Sequence, residues 1–382
     1  KLRASYGIVG EQGVPPYNSL SRYNPYVTYL NNVVRSAVLL EDLASSNLSW
    51  ETTYQTDIGL EIGFLNNRYS LEVDYYNKRT EDLLLNKPLP GTAGETRLEN
   101  IGEIENKGFE ISINSLNIDK PDFTWSTALT ISANKNEVLT LGGEDFINLS
   151  SPGQATGPSV RIIPGQPIPA FLGATYLGTY KTPAEIDADG VVGSVLGGPR
   201  YIDENGDGAI NELDFNVVGN PNPDFYGGIR NTITYKDFTL DFFFNGSVGL
   251  ELMNSAYHLS YFGRDARSNL LPIVRDRWTT SNQTSDIPRA GSSFGNYQPR
   301  STVSYQDGSF VRLKNITLRY NVDIPGTKSA NIYLSANNLF LITGWEYGDP
   351  EVSNYGSGLN QGVVSANYPY NSTVALGFNI SL

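Results

Sequence analysis

Between Tyr370 and Leu382, an extended chain places Tyr370, Val374, Leu376, Phe378, Ile380 and Leu382 on one side and Asn371, Thr373, Ala375, Gly377, Asn379 and Ser381 on the other. A final strand with an apolar face beside a small and polar one is how a transmembrane β-barrel closes, with lipid against the first face and a watery lumen against the second. A soluble sandwich would show the same alternation as core against solvent, so the remaining strands must decide.

They repeat the pattern. Thr56, Ile58, Leu60, Ile62 and Phe64 alternate with Asp57, Gly59, Glu61 and Gly63, and after Asn66 and Asn67 the chain returns with Tyr69, Leu71, Val73 and Tyr75 against Ser70, Glu72, Asp74 and Tyr76. The same reading finds Phe109 to Ile113, Phe123 to Ile131, Phe225 to Tyr235, Phe238 to Phe244, roughly 309–322 and 329–341, and Leu2 to Ile8 at the start. The total is about ten strands.

The connections sort by length. Short turns at Leu65 to Asn67, Asn117 to Asp122, Lys236 and Asp323 to Lys328 alternate with long segments at 10–53, 80–102, 135–221, 249–308 and 342–369. All long segments therefore leave one edge of the sheet, as in outer-membrane barrels with short periplasmic turns and long extracellular loops. Phe64, Tyr69, Phe123, Trp125, Tyr235, Phe238 and Tyr320 lie near the short turns on the apolar phase and form one expected interfacial girdle. The expected fold is all-β, a transmembrane antiparallel barrel.

Composition narrows the function. The chain has no cysteine, so disulfides and thiol chemistry are excluded. A net charge of −13 disfavours nucleic acid as a partner. No run approaches the roughly 18 apolar residues of a membrane helix. Lys1 opens directly on a strand with no signal peptide, and the long segments dominate the chain, so residues 1–382 read as part of a wider barrel.

Several stretches carry a family resemblance: Asn47-Leu-Ser-Trp-Glu-Thr-Thr53, Gly63-Phe-Leu-Asn-Asn-Arg68 running into Tyr75-Tyr-Asn-Lys-Arg-Thr80, Asn100-Ile-Gly, and Asn106-Lys-Gly-Phe-Glu110. Gly219-Asn-Pro-Asn-Pro-Asp-Phe225, Asp307-Gly-Ser-Phe-Val-Arg-Leu-Lys-Asn-Ile316, Ala336-Asn-Asn-Leu-Phe340 and Tyr347-Gly-Asp-Pro-Glu351 follow in order. The sequence resembles the C-terminal part of SusC/RagA-type TonB-dependent outer-membrane transporters. The resemblance implies a barrel of about 22 strands filled by an N-terminal plug that lies outside this chain. It also implies import of a glycan, oligosaccharide or peptide beneath a SusD-like lipoprotein lid, driven by TonB-ExbB-ExbD, in contact with outer-membrane lipids. Leu382 stands where the family more often ends on an aromatic.

One chemical motif stands out. Asp203, Asn205, Asp207, Ala209 through its carbonyl, Asn211 and Asp214 occupy positions one, three, five, seven, nine and twelve of an EF-hand-like calcium loop, with Gly208 at position six. The spacing predicts structural calcium in an extracellular loop at 203–214. Asp214 is shorter than the usual Glu, and without a cation the same residues form an Asx-rich turn. Ligand contact is expected from the last long loop, where Trp345, Tyr347 and Tyr355 beside Asn354 offer the flat apolar faces and polar edges that sugars and peptides need, or else pack the loop onto the rim. Arg312 and Lys314 share the lipid-facing phase of Ile316 and Leu318 and are expected to meet lipopolysaccharide phosphates or project above the bilayer.

Nothing points to an enzyme. Gly291-Ser-Ser-Phe-Gly295 lacks the strand and helix of a nucleophile elbow, the lone His258 supports no triad, and Glu346 and Asp349 lie in a Gly-rich aromatic loop. Two alternatives remain: a soluble calcium-stabilised carbohydrate-binding adhesin, which would not sort its loops, and a passive porin, which would lack a plug.

Overall fold

The computed structural model describes residues 1–382 apart from 15, 18, 46, 90–95, 150–159, 263–268, 292–299, 347, 352–358, 360, 365–369 and 382. Ten strands form one antiparallel sheet. They are β1 (Leu2–Glu11), β2 (Glu51–Phe64), β3 (Tyr69–Pro88), β4 (Thr96–Lys120), β5 (Phe123–Thr140), β6 (Phe225–Tyr235), β7 (Phe238–Val248), β8 (Phe310–Asn321), β9 (Ser329–Thr343) and β10 (Thr373–Ser381). Each pairs with its neighbours in chain order, and the sheet is open, with β1 and β10 at its two ends.

Register makes each face continuous. Trp125, Ile233, Leu240, Leu318, Leu334 and Leu376 stand opposite one another from β5 to β10, and Leu2, Leu60, Val73, Ile111 and Ile131 do so from β1 to β5. Beside the short turns, Phe123, Tyr235, Phe238 and Tyr320 form a row, with Phe238 and Tyr320 ring centroids 4.6 Å apart. Trp125 donates its indole N–H to Asn231 at 2.9 Å, which satisfies the polar end of a ring placed at a membrane interface. The expected girdle is present. The opposite face is polar: Glu61, Glu72, Ser112, Thr130, Gly228 and Asn245 form a row from β2 to β7.

The apolar face lies uncovered. Leu334 is 49% exposed and Leu376 76%, and the buried clusters gather elsewhere. A soluble protein does not leave so wide an apolar surface in water, so the geometry matches lipid contact and not a sandwich core.

The segments at the other edge are less irregular than their composition suggests. Much of 80–102 is strand, because β3 continues to Pro88 and β4 begins at Thr96, and β4 runs on to Lys120, leaving two residues in its turn. The first long segment carries a hairpin of Arg22–Leu30 and Val33–Asp42. The other long segments interlock as a cap. A four-stranded sheet is built from Phe215–Gly219, Ala170–Ala174, Val160–Ile162 and Ile147–Asn148, and a three-stranded one joins Tyr305–Asp307, Glu251–Asn254 and Val363–Val364. Helices α1 (Pro183–Asp189) and α2 (Ser255–Tyr261) complete it. Its main core packs Leu172, Ala174, Tyr201, Phe215, Tyr261 and Phe262. The cap rests on the polar side of the sheet: Asn136 Oδ1 accepts from the Ile168 N–H at 2.7 Å, and Val138 is fully buried with Leu141, Ile147 and Ile162.

Candidate functional site

The site is the polar face beneath the cap. At its start Arg3 spans three carboxylates, with Nη1 3.0 Å from Glu61 and Nη2 2.6 Å from Glu72 and 2.8 Å from Asp74. Lys1 Nζ adds a contact of 3.4 Å to Glu61, so two cations meet three anions and this wall stays acidic. Farther along, Asn106 Oδ1 accepts from Asn136 at 2.9 Å, and Arg230 grips Asp241 with both its Nε and Nη2. Asn315 donates to Asn337 at 2.9 Å and Asn337 to Thr373 at 3.2 Å. Amides, hydroxyls and carboxylates of this kind can hydrogen-bond a hydrated substrate along its whole length.

A latch joins this wall to the last long segment. Arg312 was expected on the lipid side; it stands opposite Asn245 on the polar face instead. The cause is a bulge in β8: Leu313 pairs with Phe244 and Asn315 with Phe243, so Lys314 has no partner in the ladder and the phase of every earlier residue reverses. Arg312 is buried against Asp349, with Glu351 Oε2 3.1 Å from its Nε as a charge contact. Asp349 also accepts the Glu351 N–H at 2.9 Å and the Tyr370 N–H at 3.3 Å. Lys314 Nζ lies 2.7 Å from Glu351 and 4.9 Å from the Tyr370 ring centre, so it too is held inside the latch and away from lipid headgroups.

The last loop's expected contact residues divide. Trp345 packs in a buried cluster with Leu250, Leu252 and Val364, which fixes the loop to the rim. Tyr347, Asn354 and Tyr355 lie outside the described residues. His258 is buried, with Nδ1 2.7 Å from Ser304 Oγ, between α2 and the turn that leads into Tyr305–Asp307. It is a packing residue.

The 203–214 turn is closed by its own acids. Asp203 accepts from Gly206 at 2.8 Å and Gly208 at 2.7 Å, and both glycines have the left-handed φ that such tight folding demands. Asp207 accepts from the Ala209 N–H at 2.8 Å and the Asn205 amide at 3.0 Å, and these donors hold its carboxyl below the usual range. Asp214 is buried and ties Glu204 N–H to Asn211 N–H at 3.0 and 2.8 Å. Among the described residues no three His, Cys, Asp or Glu side chains converge as a metal cage. A cation here would draw on Asp203 and Asp207 with the Asn205 and Asn211 amide oxygens and the Ala209 carbonyl, while both Asp214 oxygens accept backbone N–H groups. Each bonded carboxylate or amide oxygen keeps a second lone pair, and the Asn205 and Asn211 oxygens already accept the Asp207 and Leu213 N–H groups, so neither amide turns over without losing that bond. The donor set fits a hard cation.

The turn is braced by the segment that follows α1. Val192 donates to the Gly208 carbonyl at 2.9 Å, and Arg200 clasps Asp189 at the end of α1 with two contacts of 2.7 and 3.0 Å. The Arg200 hydrogen bonds lower the Asp189 carboxyl from its ordinary range.

Comparison with known proteins agrees with this architecture. The profile of the TonB dependent receptor-like β-barrel matches residues 1–339. The chain is 40% identical to TonB-dependent receptor P26 of Formosa agariphila, across all of this chain and 40% of that protein. It is 27% identical to TonB-dependent receptor SusC of Bacteroides thetaiotaomicron, across all of this chain and 37% of the other. A solved RagAB peptide transporter superposes with a TM-score of 0.81 at 23% identity, over all of this chain and 40% of that one, which is a likeness of fold. The chain thus spans about two fifths of the length of these relatives. With its lipid-facing belt, short turns on one edge and capped polar face, it belongs to the TonB-dependent receptor β-barrel family and forms part of an outer-membrane barrel.

Proposed function

We propose that the whole protein imports a large nutrient across the outer membrane by TonB-dependent active transport, with a SusD-like surface lipoprotein as lid. The observation that supports the reading is the chain's own cap, which packs against the polar face at its long-loop end, where a passive pore would have no use for so large a folded cover. The amide-rich wall suits an oligosaccharide or a peptide, and the RagAB transporter, whose fold this chain shares, carries peptides. Energy would come from TonB-ExbB-ExbD acting on the part of the receptor beyond this chain. Uptake of labelled oligosaccharide and peptide pools by cells carrying or lacking the gene tests the proposal. Uptake should need both the gene and tonB. Steady ion conductance by the purified full-length protein, with uptake indifferent to tonB, would show a porin.

A protease added to intact cells should cut within 249–308 or 135–221 and leave the short turn at Asn66 and Asn67 untouched. Cleavage confined to that turn would reverse the assigned orientation.

Calcium at 203–214 is a second proposal, supported by the ligand spacing and by the donor set around Asp207. Asp203→Asn or Asp207→Asn removes one charge from a site whose affinity follows charge count, so calcium affinity should fall and the turn should loosen while the barrel strands persist. Calorimetry with calcium on the purified receptor measures this. An ordered turn that takes up no heat at millimolar calcium would mark the loop as an Asx-rich turn alone.

A further inference from the structure

The apolar face carries a shallow groove of about 270 Å³ across β5 to β8. Two glycines create it. Gly227 and Gly246 stand directly opposite each other, and Ile131 and Val311 continue their row on the flanking strands. Phe225 closes the groove toward the long loops and Phe244 toward the short turns. A Cβ on Gly227 would meet the Thr130 carbonyl oxygen at 2.1 Å, and one on Gly246 the Phe310 carbonyl oxygen at 2.8 Å. The groove is therefore fixed by the close approach of the backbones.

Above it lies a pair of cations. Lys107 and Lys135 face each other across β4 and β5 on the same outward side, one row beyond Phe109 and Ala133. Lys135 sits four residues past Ile131 toward the long loops, about 13 Å along the strand. Their carboxylate partners, Glu105 at 2.5 Å and Glu137 at 2.8 Å, lie on the side away from the membrane, as do Glu103 and Arg79, which pair with each other. The two lysines are thus the first charges above the apolar belt. Glu105 and Glu137 stand opposite each other one row above, so the four charges balance as two pairs, and a phosphate would reach the two ammonium groups from the membrane side.

We propose that this surface binds one phosphorylated lipid of the outer leaflet, with an acyl chain in the Gly227 and Gly246 groove and the phosphate between Lys107 and Lys135. A membrane lipid is the occupant because the groove is continuous with the lipid-facing belt, and the lysines lie at the height where that lipid's headgroup begins. The inference depends on the lipid-facing assignment and not on import.

The test is native mass spectrometry of the full-length receptor in neutral detergent, titrated with dioleoyl phosphatidic acid or dioleoyl phosphatidylcholine. Phosphatidic acid should bind about tenfold tighter. Lys107→Gln with Lys135→Gln should erase that preference and leave phosphatidylcholine binding as it was. Val311→Trp, or Ile131→Phe where the first fails to assemble, should weaken both lipids, with heat-modifiable gel mobility confirming a folded barrel. Equal binding of the two lipids by the unmodified receptor, or undiminished binding by a folded groove-filling variant, would overturn the proposal.

Discussion

Leu60→Arg and Leu376→Arg should each destabilise the assembled barrel by about 2–4 kcal/mol where the site falls near the bilayer midplane. Both leucines belong to rows that cross the sheet on the uncovered face, Leu60 between Leu2 and Val73 and Leu376 beside Leu334. A guanidinium there must enter hydrocarbon or distort the bilayer. Glu61→Arg is the matched control, one residue away and on the opposite face, where Glu72 and Asp74 remain to compensate the new charge. Its effect should be mild. Folding titrations into lipid vesicles give the three values, and finding Glu61→Arg the most damaging would exchange the two faces.

Arg312→Ala should cost about 3–5 kcal/mol of local stability, because it strands the buried Asp349 carboxylate without its cation. The stretch around Asp349 and Glu351 should loosen from β8, while Trp345 and Val363–Val364 keep their own packing and pairing. Arg312→Met combined with Asp349→Asn should recover part of the loss: it removes the buried charge and keeps one amide oxygen as acceptor for either the Glu351 or the Tyr370 N–H, which use different oxygens of Asp349. Limited proteolysis across 344–372 on the folded receptor reports the loosening, and strand content by circular dichroism should stay constant. A variant Arg312→Ala as protease-resistant as the parent would show that the latch holds nothing.

The strands were legible because period-two alternation survives in every one of them, and the sorted turns gave their order. Register then follows from pairing neighbours so that both faces stay continuous. The bulge at Lys314 does leave a trace in the letters: Val311 and Leu313 carry the apolar phase before the polar pair Lys314-Asn315, and Ile316 and Leu318 carry it after, one residue out of step. Reading Arg312 in the phase of Ile316 ignores that break. The cap was also hidden, because strands of two to five residues such as Ile147–Asn148 and Ala170–Ala174 are too short to show a period. The chemistry of 203–214 could be read from spacing, yet the task of Asp214 could not. It is buried and closes the turn through two backbone N–H groups, a role that depends on the fold of the 3-10 turn Glu212–Asp214. Trp345 looked available to a ligand because loop aromatics usually are; the Leu250 and Leu252 surface that covers it comes from a distant stretch of chain.

Single-cysteine labelling on intact cells addresses the central claim, that this sheet crosses the outer membrane with its cap outside. Thr284→Cys places a thiol on an exposed part of the cap, and Asp323→Cys places one in an exposed short turn, avoiding the left-handed backbone of Asn66 that a cysteine would strain. This chain contributes no cysteine of its own, and cells carrying the receptor without either substitution supply the background. A membrane-impermeant maleimide should label position 284 on whole cells and position 323 only after the outer membrane is opened. Labelling of 323 on intact cells with 284 protected would contradict the orientation, and equal labelling of both in a detergent-free soluble fraction would contradict the membrane barrel itself.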